Sequence, residues 1–249
     1  MDYCSISTRS SFRDFVMKFE TFVKEIIPRA SDVASFRFPR PADLAYNPGQ
    51  YMLVTIKSGD KEMMHPFSFS SSPTEKDFIE FTKKFTANEY STTLKALKPR
   101  DWAKIDAPHG WFTFMGEYQK IVLLAGGIGI TPFRSICKYC IDMRLSTSIV
   151  LLYGCRNENE IAFKEELEQA QLQNLNLKVI FVLNEPGSGW KGKVGFINDE
   201  LVKKEVPDYK DRVFYVCGPP GMVAAMEKLV KNLGLPDAQL KLESFAGHK

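Results

Sequence analysis

"KIVLLAGGIGITPFRSICKYCIDM", Lys120 to Met143, changes character twice within its length. Ile121 to Ala125 is unbroken apolar chain and reads as a buried strand; from Pro132 onward the apolar residues recur at helical spacing. Between them stand Gly126, Gly127 and Gly129, in "AGGIGITP" (125–132). A strand that ends in glycines and turns directly into a helix opens a βα unit. Its glycines, with Ile130 and Thr131, let backbone N–H groups approach a pyrophosphate, whose charge the helix N-terminus stabilises. Pro132 fits the first helical turn, where its missing N–H costs nothing. A tight strand-to-helix turn needs glycine in any case, and the G-x-G-x-x-G spacing is absent. Taken alone the run signals a phosphate cradle, with a turn that merely needs glycine as the other reading.

Reading outward toward the C-terminus, the pattern repeats. "SIVLLYGCR" (148–156) is a second buried strand, "NEIAFKEELEQAQLQ" (159–173) a charged amphipathic helix, and "LKVIFVLNEP" (177–186) a third strand. A short helix near "VGFINDELVKKE" precedes "RVFYVCGPPGMVAAMEKLVKNLGL", a strand followed by a helix. Such alternation means a mostly parallel sheet with right-handed crossovers. Ligands of these sheets bind beyond the carboxyl ends of the strands. "AGGIGITP" and "VCGPPGM" (216–222) are therefore expected to line one crevice, with Cys217 at its mouth and Gly218, Pro219 and Met222 beside it.

Toward the N-terminus the chain reads as short strands: "RDFVMKFETFVKEII", "VASFRFPR", "GQYMLVTIKSG", "MMHPFSFSSS", "DFIEFTKKF" and "WAKIDAPHG". Apolar–polar alternation with Pro and Gly punctuation predicts an antiparallel sheet or barrel. The expected organisation is two domains, a β-barrel over 12–115 and an α/β domain over 116–249, joined near Phe114 to Gln119. Within the barrel, "HPFSFSSSP" (65–73) has two readings: an edge strand with a solvated face, or a platform for a flat aromatic ligand with hydroxyls aimed at its rim.

Composition bounds the function. A chain of 249 residues, 44% hydrophobic and 25% charged, is globular in type, and a net charge of +3 without a basic stripe argues against nucleic acid. Lys83, Lys84, Lys95, Lys98, Arg100 and Lys104 cluster in one third of the chain, either as solvated lysines or as a docking face for an acidic partner. Apolar runs such as "IVLLA" fall far short of the roughly 20 residues that span a bilayer, so no transmembrane segment is expected. The start "MDYCSISTRSSFRD" holds no apolar signal core, and five cysteines, an odd number, suggest a reducing, cytoplasmic setting. Cys137 and Cys140 form a lone C-x-x-C that reads as core thiols; no metal, iron–sulfur or Ser–His–Asp spacing stands out. His109 reads as a turn residue at the domain junction and His248 as a solvated tail residue.

Taken in order, "PGQY" (48–51), "HPFS" (65–68), "NEYSTTL" (88–94), "APHGWF" (107–112), "AGGIGITP", "YGCR" (153–156), "CGPPGM" (217–222) and "ESF" (243–245) resemble the ferredoxin–NADP reductase superfamily of flavin reductases, over nearly the whole chain. The resemblance implies FAD as cofactor and NADH or NADPH as electron donor. It places His65, Pro66, Phe67 and Ser68 against the flavin, with Ser68 matching the hydroxyl near N5. His65 stands where the family has a phosphate-binding arginine, and an imidazole is mostly neutral near pH 7. Asn88 occupies a glycine place in the second phosphate segment, where it is expected to adopt a left-handed backbone. Ser91 and Thr92 would donate to phosphate, and Lys83 or Lys84 matches a family lysine. Phe245 matches an aromatic that covers the flavin, and Glu243 a carboxylate that handles protons or docks nicotinamide. Ser68, Cys217 and Glu243 are thus the candidate catalytic residues. Arg156, flanked by Glu158 and Glu160, would meet the nucleotide's ribose; one arginine among acids favours NADH over a 2′-phosphorylated donor.

The activity so implied is hydride transfer from NAD(P)H to FAD, then electron transfer to a separate acceptor protein, a ferredoxin or another iron–sulfur or haem protein. Three alternatives stand beside it: an electron-transfer subunit of a larger complex, a reductase of free flavin, ferric chelates or quinones, and a flavin-free nucleotide-binding regulatory module.

Overall fold

The computed structural model describes residues 16–245. The start of the first expected domain at residue 12, and His248, lie outside the described residues. The N-terminal part is antiparallel: β1 (Met17–Phe22), β2 (Glu25–Ala30), β3 (Val33–Pro39), β4 (Tyr51–Ser58), β5 (Lys61–Ser68), β6 (Phe78–Lys84) and β7 (Trp102–His109). They form sheets in the orders β1-β7-β4-β5 and β2-β3-β6, connected by a bridge between Phe69 and Phe81. The stretch expected as one strand, 13–27, divides at Val23 and Lys24, whose amides bond to Asp101 and Arg37 instead of continuing the ladder.

Alternation places Met52, Val54, Ile56, Phe36, Phe38, Phe81 and Ile105 inside, all 0 or 1% exposed. Aromatic stacking orders this interior, with Phe67 on Phe81 at 4.3 Å and Tyr46 on Phe69 at 3.9 Å between ring centroids.

The C-terminal part is a six-stranded parallel sheet. Its strands are β8 (Lys120–Gly126), β9 (Ser148–Cys155), β10 (Leu177–Leu183), β11 (Lys193–Val194), β12 (Val213–Gly218) and β13 (Leu240–Ser244), in the order β11-β10-β9-β8-β12-β13. In β8 the odd residues Ile121 and Leu123 pack with Phe133 and Ile136 of α2 (Ile130–Asp142) and Leu167 of α3 (Lys164–Gln173). The even residues Val122 and Leu124 pack with Val202 and Val223 from the following helices, 199–205 and 220–232, on the other face. Strands buried on both faces explain the solid apolar runs in the sequence. No strand was expected over 240–244, yet β13 pairs parallel with β12 from Phe214↔Leu240 to Gly218↔Ser244.

Among the described residues no helix is long and apolar enough to cross a membrane.

Candidate active site

β8, β9 and β12 end together, and the turns that follow them shape a crevice. After β8 a single 3-10 turn, Gly127–Gly129, leads into α2. Gly129 is required by packing: a Cβ there would lie 2.3 Å from the Cys217 carbonyl oxygen. Gly126 is pressed by Met222, whose sulfur would stand 3.0 Å from an added Cβ. Gly127 differs from both. Its φ of +49° is left-handed, and nothing lies within 4 Å of where a Cβ would be. Of the residues expected to admit a pyrophosphate, Gly127 is the one that opens onto free space. Ile130 is a wholly buried core residue, Pro132 is buried, and Thr131 turns its hydroxyl back to the Ile128 carbonyl at 3.2 Å, so these three contribute no side chain to the crevice.

Cys217 lies at the strand end as expected but not at a mouth. It is 0% exposed, and burial raises its thiol pKa well above the usual range, so the group is a neutral thiol packed under the crevice floor. Its register partner on β13 is Glu243, which burial holds above the ordinary carboxylate range. The ladder extends one step further, the Phe245 amide donating to the Gly218 carbonyl at 3.0 Å, with the ring against the adjoining core. Glu243, Cys217, Gly218 and Phe245 are therefore assembled by one pair of strands. Pro219 is exposed and caps the helix 220–232, which has Pro220 in its first turn.

The barrel faces this crevice through β6, which approaches the 127–129 turn. Lys83 on β6 is half-buried; desolvation lowers its pKa, and no carboxylate pairs with it among the described residues. On β5 the side chains of His65 and Phe67 point inward, His65 with its ring 4.2 Å from that of Tyr90. Ser68 at the strand end is 6% exposed. Pro66 is a correction: strand alternation turns it outward, exposed, away from His65 and Phe67.

"NEYSTTL" is also corrected. Asn88 has φ −76° and ψ 161°, an extended residue that caps α1 (Glu89–Ala96), its side chain accepting the Ser91 amide at 2.8 Å. Ser91 is 1% exposed and its hydroxyl accepts from the Thr86 amide, while the Thr92 amide and hydroxyl both donate to the Asn88 carbonyl. These donors serve the helix start and are not presented to a phosphate. A short amide side chain satisfies an orphan helix N–H more readily than it accepts left-handed strain, which is why the cap prevails.

The serine-rich stretch is mostly interior. Phe69, Ser70, Ser71 and Ser72 are 0% exposed, so only Phe67 and Ser68 remain to frame a ligand. Ser70 donates to Glu80 at 2.8 Å, and the fully buried Glu80 carboxylate also takes Arg29 at 2.9 Å and Arg37 at 2.8 Å. Burial pushes the Glu80 pKa up, but Arg134, Arg29, Ser70 and Arg37 together hold it below the usual range. Within the lysine cluster, Lys84 pairs with Glu160, Lys95 with Asp32 and Lys104 with Glu62.

Arg156 is exposed at the end of β9, 3.0 Å from Glu160. Glu158 accepts the Gly187 amide, tying down the loop after β10. Sequence reasoning missed Glu80 and Arg134, although a signal existed for the latter: it falls four residues after Ile130, a charge on the apolar stripe of α2.

Residues with these properties fit an FAD and a dinucleotide: an unpaired half-buried cation at Lys83, an inward aromatic at Phe67 and an open left-handed glycine at Gly127.

Comparisons with known proteins agree with this geometry. A family model described as an oxidoreductase FAD-binding domain matches residues 19–114, and one described as an oxidoreductase NAD-binding domain matches 123–228. NADH-cytochrome b5 reductase 1 of Aspergillus terreus is 33% identical over 244 residues, covering 92% of this chain and 80% of that protein. The same-named protein of Ajellomyces capsulatus is 32% identical, covering 94% of this chain and 79% of its own length. Among solved structures, the FAD/NAD-binding domain of a Vibrio cholerae nitric oxide dioxygenase has a TM-score of 0.83 at 24% identity, over 91% of this chain and 98% of that one. The cytochrome b5 reductase domain of Ulva prolifera nitrate reductase has a TM-score of 0.81 at 23% identity, over 91% and 97%. These two share the fold.

Proposed function

From a chain that belongs to the ferredoxin–NADP reductase superfamily, as an NAD(P)H-dependent flavoprotein reductase holding FAD, we propose that NADH is the favoured donor and a haem protein the acceptor. The observation that carries this reading is the facing pair of half-sites: Lys83 and the β5 end on the barrel, and the Gly127 turn with the β12–β13 ends across from it. We also propose that the two domains divide between Met115 and Gly116, a reading supported by the strand-free segment before β8.

FAD, when bound, would supply the redox chemistry, hydride acceptance and single-electron release. The chain's own residues bind and orient. Phe67 presents a face for a planar ring, and the Ser68 hydroxyl orients its polar edge. Lys83 provides the charge for a flavin phosphate, with His65 as the second group. On the other side, the Gly127 turn and the Gly218 strand end receive the dinucleotide. Phe245 covers the seam and excludes water, and Glu243 holds a proton beside it. Cys217 shapes the floor as a neutral thiol. The preference for NADH rests on charge: the arginine at the end of β9 is already paired with Glu160 and so is not free to meet a 2′-phosphate. A haem protein as acceptor is favoured because the relatives above 30% identity are named for one, cytochrome b5.

Anaerobic titration of the purified yellow protein tests this. NADH is expected to bleach the flavin band at lower concentration than NADPH, and the bleached protein to reduce cytochrome b5. Bleaching by NADPH in preference, or a bleached flavin that leaves cytochrome b5 oxidised, overturns the reading.

A further inference from the structure

Arg134, 4% exposed, lies one turn beyond the glycine turn and reaches out of the parallel-sheet half. Its Nη1 donates to the Ser70 carbonyl at 2.9 Å and to Glu75, and its Nη2 donates to the other Glu75 oxygen at 3.1 Å. Its Nε donates to Glu166 of α3 at 2.7 Å. The neighbouring Ser135 hydroxyl donates to the Ser71 carbonyl at 2.7 Å. At the far end of α2, Thr74 donates to Asp142.

Residues 70–75 continue directly from β5, so the carbonyl held by Arg134 is two residues from Ser68. The first residue of α2 follows directly on Gly129. One guanidinium thus joins the strand end that meets the flavin to the helix that meets the dinucleotide. If the two halves needed only to stick together, a packed apolar pair would serve at least as well, because burying charges costs desolvation. A forked ion pair does something an apolar contact does not: it fixes direction and distance at once.

We propose that Arg134 is a positioning residue, whose fork on Ser70 and Glu75 sets the spacing between the β5 end and the α2 N-terminus and thereby the approach of nicotinamide to flavin. The inference rests on the reading above that FAD and NADH meet at this seam. Misplacement by about 1 Å from a change remote from the chemistry costs on the order of 100-fold in rate.

The test uses the FAD-loaded protein in anaerobic rapid mixing with NADH and with deuterated NADH, recording flavin bleaching, the long-wavelength charge-transfer band and the isotope effect. Arg134→Lys keeps the charge and loses the fork; Ser135→Ala removes the second cross-seam bond; Glu166→Gln removes a contact within one half. Melting temperature and the dissociation constants of FAD and NADH are measured for each. Arg134→Lys is expected to slow bleaching about 100-fold, to change the isotope effect and weaken the charge-transfer band, and to leave both dissociation constants within a few-fold. Ser135→Ala is expected to show the same signature at smaller amplitude, and Glu166→Gln only a lower melting temperature. Unchanged bleaching and isotope effect in Arg134→Lys overturn the proposal, as do losses that track melting temperature across all three. Should Arg134→Lys not fold, Ser135→Ala decides by the same signature. Should NADH fail to bleach the unaltered protein, the functional reading falls and takes this inference with it.

Discussion

The turn after β8 is made of glycines and the turn after β5 of serines, and the two use small residues in contrary ways. In the glycine turn side chains are missing, so Gly129 lets the ends of β8 and β12 touch and Gly127 leaves open space in front of the backbone. In the serine turn the side chains are the point. Ser70 binds Glu80, Ser71 accepts the Glu80 amide and contacts Tyr46, and Ser72 contacts Thr74. One turn keeps its main chain available to a visitor; the other commits its hydroxyls to internal partners, a buried carboxylate, a backbone amide and neighbouring hydroxyls. Smallness alone does not make a binding loop. What decides is whether the polar groups end up facing in or out.

That contrast is broken hardest at Gly129. Gly129→Ala forces the Cys217 carbonyl away, and NADH-driven turnover is expected to fall 100-fold or more. Gly127→Ala, with nothing in the protein within 4 Å of the added Cβ, should cost only about 1 kcal/mol of stability as left-handed strain, but it sets a methyl where the dinucleotide is received and is expected to raise the KM for NADH. Equal losses of melting temperature in the two variants would mean that Gly129 is not held by packing. In the serine turn, Glu80→Gln leaves the part-buried Arg29 and Arg37 beside a neutral, fully buried amide. A loss of about 3 kcal/mol in denaturant unfolding is expected. A change under 1 kcal/mol would show the network to be dispensable. The smallest effect is on pH dependence. Burial raises the Glu243 pKa, so in the folded protein this carboxyl takes up its proton at higher pH than a free glutamate, and ionising it opposes folding as pH rises through that window. If the protonated form is the working one, turnover should fall as pH rises through the Glu243 pKa, at a pH above the ordinary glutamate range. This fall should disappear in Glu243→Gln, which keeps a neutral side chain; an unaltered fall assigns it to another group.

Periodicity made the parallel sheet legible, because strands buried on both faces have no polar residues to confuse the pattern, as in Ile121–Ala125 and Val213–Cys217. β13 escaped because its burial is slight and its pairing partner lies over 20 residues away. The crevice residues of "AGGIGITP" and "CGPPGM" were readable from glycine placement, yet which glycine serves packing and which serves access depends on Cys217 and Met222, contacts no local pattern encodes. Asn88 was misread since both a left-handed turn and a helix cap favour asparagine; only the neighbouring amide of Ser91 distinguishes them. The burial of Ser70 and Ser71 was invisible because their partner Glu80 is itself hidden in a strand that reads as half solvated.

All four cysteines among the described residues are buried, with Cys155 pushed up to about 11 and Cys140 to about 12. Sulfur of that kind stays protonated and sluggish toward peroxide. Any peroxide formed when oxygen intercepts the electrons would instead meet Met64, Met115 and Met143, which are 45 to 56% exposed. Oxidative wear on this protein should thus accumulate as sulfoxide on its outside, a lesion that repair enzymes reverse, while the thiols beneath the crevice outlast it.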